Sequence, residues 1–363
     1  MPSKLSARLP WTKSPLIINA PVIMNRISNG CPITDIPQMA GSATAPLAIA
    51  VTRAGGLGQI GSANDLSALD GHITTAANEL ERTSEGLLPI GVGFLPFLVE
   101  LDKAMSVIGK HRPAVVWLFA AKQVDDYATW AKRAREVSPG SMIWVQVGSV
   151  KDAVKVAKEA RPDVLVTQGA DAGGHGLAKS AGLVSLLPEV RDTLAREGLS
   201  NDVMVVGSGG ITDGRGAAAA LALGADGIVM GTKFLSASET NLHPNWRAEV
   251  LKASDGGQGT VKSMLFDELR GPSIWPTGYD GRGLVNASSG DFDNGVGIDE
   301  VRRLFAEASQ EEDGGFGAGG KGRAAMWAGT GIGLITKEQS AAEIVEEVRN
   351  GAGKALEDAR ARL

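Results

Sequence analysis

Cysteine is nearly absent from this chain. Cys31 is the only one in 363 residues, which excludes an internal disulfide framework and any metal site built on several thiolates. A reducing compartment is expected, and no other metal ligand set stands out. An excess of positive charge is missing too. The 36 Lys and Arg face 41 Asp and Glu, for a net charge of −5, so no global basic field draws in nucleic acid or anionic lipid. Residues 1–14 hold no long apolar stretch of the kind a secretory leader needs. No uncharged apolar run reaches membrane-spanning length. The expected setting is the cytoplasm, with neither nucleic acid nor membrane as a partner.

What the chain has in quantity is glycine, 48 residues, clustered in short runs after apolar segments. That pattern suits backbone packed closely around a ligand. Eight apolar segments can be counted, at 16–20, 57–60, 89–94, 115–119, 142–147, 164–168, 203–207 and 227–230. Several are continuous Val/Ile/Leu runs rather than alternating ones, the mark of strands buried on both faces. Helical patterns lie between them at 45–54, 66–81, 124–137, 150–160, 184–196 and 214–223. The alternation predicts an α/β fold with a parallel sheet. Eight repeats, with ligand-like motifs after the later ones, favour a (β/α)8 TIM barrel over a doubly wound sheet.

After about residue 244 the pattern changes. Residues 245–270 read helical, 271–323 are rich in Gly and Asp with a short helix near 298–307, and 336–363 reads as a good helix. Residues 1–245 and 326–363 are therefore expected to form the barrel. Residues 246–325 are expected to be a smaller, mainly helical and loop insertion that covers its mouth.

Three motifs carry chemistry. The segment from Val203 to Gly216 runs an apolar strand into Ser208-Gly209-Gly210 and then into a helix. Glycines let backbone N–H groups approach phosphate oxygens, and the helix N-terminus adds a favourable dipole. The segment from Gly224 to Thr232 ends another strand in Gly231-Thr232, where an amide and a hydroxyl can also grip phosphate. Either alone is as often a plain tight turn. The pair, after the seventh and eighth strands, makes the phosphate site of a barrel. The third segment, Val164 to Gly176, places His175 in a glycine-rich loop at the catalytic face. An imidazole near neutrality can take a proton from an acidic carbon, and the glycines are expected to keep it free of crowding. His72, His111 and His243 read as a helix residue, a surface turn and a His-Pro junction.

These motifs, Ala172-Gly-Gly-His-Gly176, Ser208-Gly-Gly-Ile-Thr-Asp-Gly-Arg-Gly216 and Ala222-Leu-Gly-Ala-Asp-Gly-Ile-Val-Met-Gly-Thr-Lys-Phe234, resemble those of nitronate monooxygenase, formerly 2-nitropropane dioxygenase. Ala20-Pro21, Met39-Ala-Gly41, Arg53-Ala-Gly-Gly-Leu-Gly58 and Trp327-Ala-Gly-Thr-Gly-Ile-Gly-Leu-Ile335 extend the likeness over nearly the whole chain. The resemblance implies an FMN-bound barrel that oxidises alkyl nitronates, and nitroalkanes, with O2 to a carbonyl compound and nitrite. It implies His175 as the base. Ser208, Gly209, Gly210, Gly231 and Thr232 would hold the FMN phosphate. Met39, Ala40, Gly41 and Gly93 would flank the flavin ring, and Gln146 and Gln168 would bind the ring or the ribityl chain. Ala172, Gly173 and Gly174 would line the same pocket, and Trp327 would wall the substrate side or serve as a core aromatic. A small-molecule nitronate or nitroalkane and O2 are the expected partners, for a monomer or homodimer. The alternative within the superfamily is an FMN-dependent NAD(P)H enoyl-thioester reductase.

The chain departs from the resemblance between Pro21 and Met39. Deleting residues 22–38 would join Ala-Pro to Met-Ala-Gly, as the resemblance leads one to expect. The segment is 17 residues, opens on Val22 and closes on Gln38. It reads as a retained intron in a conceptual translation, or else as an atypical inserted loop. The C-terminal Ala361-Arg362-Leu363 resembles a relaxed form of the peroxisomal Ser-Lys-Leu address, which gives the peroxisome as a second expected location.

Overall fold

The computed structural model describes residues 4–21, 42–61 and 65–363. Met39, Ala40, Gly41, Cys31 and the whole of 22–38 lie outside the described residues.

Eight parallel strands form one sheet. They are β1 (Ile17–Asn19), β2 (Gln59–Gly61), β3 (Leu88–Phe94), β4 (Pro113–Leu118), β5 (Met142–Val147), β6 (Val164–Gln168), β8 (Met204–Ser208) and β9 (Ile228–Met230), with β7 (Gly174–Leu177) set outside the sheet. The order runs β1-β9-β8-β6-β5-β4-β3-β2. A bridge between Ile18 and Leu57, just before β2, brings the two ends together. Asn19 reinforces that seam: its Oδ1 accepts from the Gln59 amide at 2.8 Å and its Nδ2 donates to the Gln59 carbonyl at 2.9 Å. The sheet is thus nearly closed as a barrel, as the eight apolar segments predict.

Alternation along each strand sorts side chains between two cores. Val115, Trp117, Met142, Trp144, Val164 and Val166 fill the barrel interior, joined by Leu5 and Leu9 at the N-terminal end. Val116, Leu118, Ile143, Val145 and Leu165 face outward against the helices. This double burial is why the strands read as continuous apolar runs.

Helices Ala45–Arg53, Leu66–Glu79, Leu101–His111, Asp126–Val137, Val150–Glu159, Leu183–Arg196 and Gly214–Ala222 lie between successive barrel strands or follow them. The helix over 101–111 is one the sequence reading omits. Its buried face is Ala104, Met105, Ile108 and His111, with Leu101 and Val107 packed against the same core. His111 closes it and is buried against Asp70, not in a surface turn. The eighth helix is the C-terminal one, Ala341–Arg360, held by a capping box at Ser340 and Glu343. It packs between the helices 214–222 and 45–53 and completes the ring.

Between the last barrel strand and that last helix the chain makes a long excursion. It carries helices Pro244–Lys252, Gly256–Gly259, Leu265–Glu268, Ala287–Asp293 and Ile298–Ala308, and strands β10 (Thr260–Ser263) and β11 (Tyr279–Leu284). The helical reading of 245–270 is corrected by β10, and the loop reading of 271–323 by β11. These strands join β7 in a second, antiparallel sheet of order β10-β11-β7. β7 and β11 are glycine-rich and have weak strand propensity of their own. Their pairing comes from partners distant in sequence. Among the described residues, no helix is long and apolar enough to cross a membrane.

Candidate active site

A cleft of about 950 Å³, including the part open to solvent, sits at the C-terminal ends of the barrel strands. Its walls come from Ala20 and Pro21 after β1, Leu95 after β3, Phe119 after β4, Gln146 on β5 and Gln168 on β6. The loops after β6, β8 and β9 supply the floor, and the excursion supplies Trp275, Trp327, Gly329 and Gly331.

The glycine-rich turn after β8 forms one end. Gly209 and Gly210 have φ of +106° and +73°, a region that side chains rarely enter, and a Cβ on Gly209 would stand 2.9 Å from the Gly169 carbonyl oxygen. Only glycine lets this turn fold back against the loop after β6. The N–H groups of Gly210 and Ile211 have no acceptor among the described residues. The Thr212 hydroxyl is enclosed and has no hydrogen-bond partner. Unspent donors grouped in a cleft suit an anionic oxygen-rich group such as a phosphate. Gly231 and Thr232 face the same space from β9. The Thr232 hydroxyl accepts from the Gly329 amide at 2.9 Å, which ties the returning chain to the turn.

The other end is built around His175. It lies on β7, paired with Gly281 of β11, so the excursion holds the histidine in place. Gln168 donates to the His175 carbonyl oxygen at 3.1 Å. The expectation of an uncrowded imidazole is corrected here. Trp275 stacks on the ring, with centroids 3.7 Å apart and planes 11° apart, and Trp327 leans on it at 4.7 Å. His175 Nε2 lies 2.7 Å from Asp267 Oδ1. Both side chains are about a tenth exposed, at 10% and 9%. Gly281 makes room for this: a Cβ there would stand 2.4 Å from the Trp327 indole and 3.3 Å from His175 Nε2. Phe97, Phe119 and Tyr279 extend the aromatic wall around Trp275. Burial pushes the Tyr279 phenol up to about 12.

Of the residues singled out in the sequence, Gln146, Gln168, Ala172, Gly173, Gly174, His175, Ser208, Gly209, Gly210, Gly231, Thr232 and Trp327 all line this cleft. Gly93 does not. It lies on β3 behind Pro21, whose ring would meet its Cβ at 2.7 Å. Met39, Ala40 and Gly41 lie outside the described residues. Sequence reasoning missed Thr212, Trp275 and Asp267. Thr212 had a readable signal, since it sits two residues beyond Gly209-Gly210. Asp267 and Trp275 had none, because β11–β7 pairing brings them to a histidine about a hundred positions away.

The match to protein-family models is to the one described as nitronate monooxygenase, over residues 99–351. The chain is 40% identical to nitronate monooxygenase npaC of Metarhizium robertsii, over 99% of this chain and 97% of that protein. It is 37% identical to the nitronate monooxygenase of Neurospora crassa, over 99% and 94%. Among solved structures, FabK from Thermotoga maritima aligns with a TM-score of 0.72 at 22% identity, over the whole of both chains. The nitroalkane oxidase from Streptomyces ansochromogenes aligns with a TM-score of 0.68 at 22% identity, over 98% of this chain and 99% of that one. At that identity the two structures speak to the fold.

Proposed function

The chain belongs to the nitronate monooxygenase family, and from that premise we propose that it oxidises alkyl nitronates with O2 to a carbonyl compound and nitrite, in a cleft that holds FMN, with His175 as base when the substrate arrives as a neutral nitroalkane. The observation that carries the reading is one cleft with unspent anion-binding donors at one end and a lone ionisable side chain, His175, at the other.

The residues present fit FMN. Its phosphate would be held by the Gly210 and Ile211 amides, the Thr212 hydroxyl and the Gly231-Thr232 turn, with Ser208 and Gly209 beside them. Gln146 and Gln168 would meet the polar parts of the ring and ribityl chain. Gln168 gives one amide N–H to the His175 carbonyl, which leaves its oxygen and its second N–H for a ligand. Bound there, FMN supplies the electron transfer between nitronate and O2. The chain supplies position and exclusion of water. Phe119, Trp275 and Trp327 give the substrate an apolar wall, against which a short alkyl chain is shielded. His175 accepts the α-proton of a neutral nitroalkane. A nitronate has already lost that proton.

The test is anaerobic mixing of the purified flavin-loaded protein with a short alkyl nitronate, following the flavin absorbance, with NADH in a parallel cell. A prompt spectral change with nitronate and none with NADH is expected. Full reduction by NADH without any response to nitronate would replace this reading by the enoyl-thioester reductase, the activity for which a barrel of the same fold is suited.

A further inference from the structure

We propose that Asp267 is a positioning residue for proton abstraction, which holds His175 as the tautomer protonated at Nε2 and so makes Nδ1 the atom that takes the substrate's α-proton. The assignment rests on the nitronate monooxygenase reading above and adds to it a residue from the excursion.

The geometry leaves Asp267 one use. Its Oδ1 lies 2.7 Å from His175 Nε2, and its Oδ2 is enclosed without a hydrogen-bond partner among the described residues. The carboxylate is therefore a strong acceptor with a single side-chain donor to satisfy it. The hydrogen bond at one ring nitrogen decides where the imidazole proton sits. A carboxylate at Nε2 fixes the proton there and frees Nδ1 as the acceptor. Nδ1 has no partner among the described residues and is not one of the enclosed orphan atoms, so it opens on the cleft that the ring lines.

The surroundings hold this arrangement. Asp267 sits on the short helix Leu265–Glu268, whose Leu265 and Phe266 are buried. Phe266 meets Trp327 edge-on, at 5.7 Å and 84°, and Trp327 in turn packs on His175. Trp275 fixes the plane of the imidazole from its face.

In the step itself the substrate's α C–H bond breaks and an N–H bond forms at Nδ1. The electron pair moves into a C=N bond, and the negative charge settles on the nitro oxygens. The product is a nitronate beside an imidazolium. Asp267 faces that new charge through Nε2–H, and the Trp275 ring face adds a cation–π contact. The step is needed for nitroalkanes alone, and this gives the assignment a readout that a purely structural role would not move.

The experiment compares kcat/KM for a nitroalkane and for its own nitronate in flavin-loaded wild-type protein and in Asp267→Asn. The Asn amide can donate to Nε2, which stabilises the opposite tautomer. The nitroalkane-to-nitronate ratio is expected to fall by on the order of tenfold to a hundredfold, with partial recovery in Asp267→Glu. An unchanged ratio, or an equal fall on both substrates, would overturn the assignment. Wild-type protein that turns over neither substrate would instead overturn the nitronate reading beneath it. A second measurement needs no variant of Asp267: in wild-type protein labelled with ¹⁵N-histidine, the His175 signal, identified by its loss in His175→Asn, is expected to show Nε2–H. An Nδ1–H signal would sink the proposal.

Discussion

His175 is the one ionisable side chain among the described residues that line the cleft. Nitroalkane turnover should therefore depend on it more steeply than nitronate turnover does. His175→Asn is expected to lower the nitroalkane-to-nitronate ratio of kcat/KM by about 10²- to 10⁴-fold, the usual worth of a general base, read from steady-state rates on both substrates. Tyr279 lies close by, but its phenol, held near 12 by burial, stays neutral across the working range and lends no step to a pH profile below that value. At the other end of the cleft, Thr212 offers an enclosed hydroxyl that has no partner among the described residues. Thr212→Val keeps its shape and removes the donor. A hydrogen bond to a charged group is worth about 1.5–3 kcal/mol, so FMN should bind roughly ten- to hundredfold more weakly, as measured by fluorescence titration of the flavin-free protein. Retained affinity would mean that the hydroxyl does not face the phosphate.

Among elements, the seam between helices 214–222 and 341–360 is tightly packed. A Cβ on Gly214 would stand 2.3 Å from the Gly351 carbonyl carbon, so Gly214→Ala forces the two helices apart. Overpacking of this kind costs about 1–3 kcal/mol, which a shift in the urea midpoint would register. The turn that leads from β9 into the excursion has its own anchor. Lys233 is 4% exposed and donates to Gln339 Oε1 at 2.8 Å, while Gln339 donates to Glu347 at 2.6 Å. Burial holds the Lys233 ammonium below its ordinary value of 10.5. A lysine with a lowered value binds fewer protons folded than unfolded, so stability rises with pH through the window that ends near 10.5. Lys233→Met removes the group. Its stability difference from the wild type should shift in favour of the wild type as pH rises through that window, measured by denaturation at a series of pH values. A pH-independent difference would show that the ammonium is not the cause.

The same scale shows what was legible in the sequence. Strands such as β5 and β6 could be read because both faces are buried, which writes the strand as a continuous apolar run. β7 and β11 could not, since Gly174-His175-Gly176 and Gly281-Arg282-Gly283 carry no such signature and acquire their form by pairing with each other. The candidate site divides along this line. Its phosphate-like end is made from contiguous motifs, and Ser208 through Gly210 with Gly231-Thr232 could be found by spacing. Its histidine end joins His175 to Asp267 across 92 positions, and no local pattern announces such a pair. Gly93, chosen from resemblance, packs behind Pro21, which lines the cleft.

Taken whole, the molecule is a barrel whose strands are complete by Met230 but whose ring of helices waits for residues 341–360. Ile344, Val345 and Val348 of that last helix are fully buried. Ile344→Ala should cost about 2–5 kcal/mol, as a cavity in a tight core does, and a thermal melt would register it. A loss well below that would mean the helix is peripheral to stability. The late position of this helix also bears on synthesis. A ribosome that has delivered every strand and the entire site still holds a protein with an open flank, where the apolar faces of two helices lie bare. Exposed surface of that kind invites association with other nascent chains. The codons for residues 341–360 would then set the yield of soluble product, although no residue they encode lines the cleft.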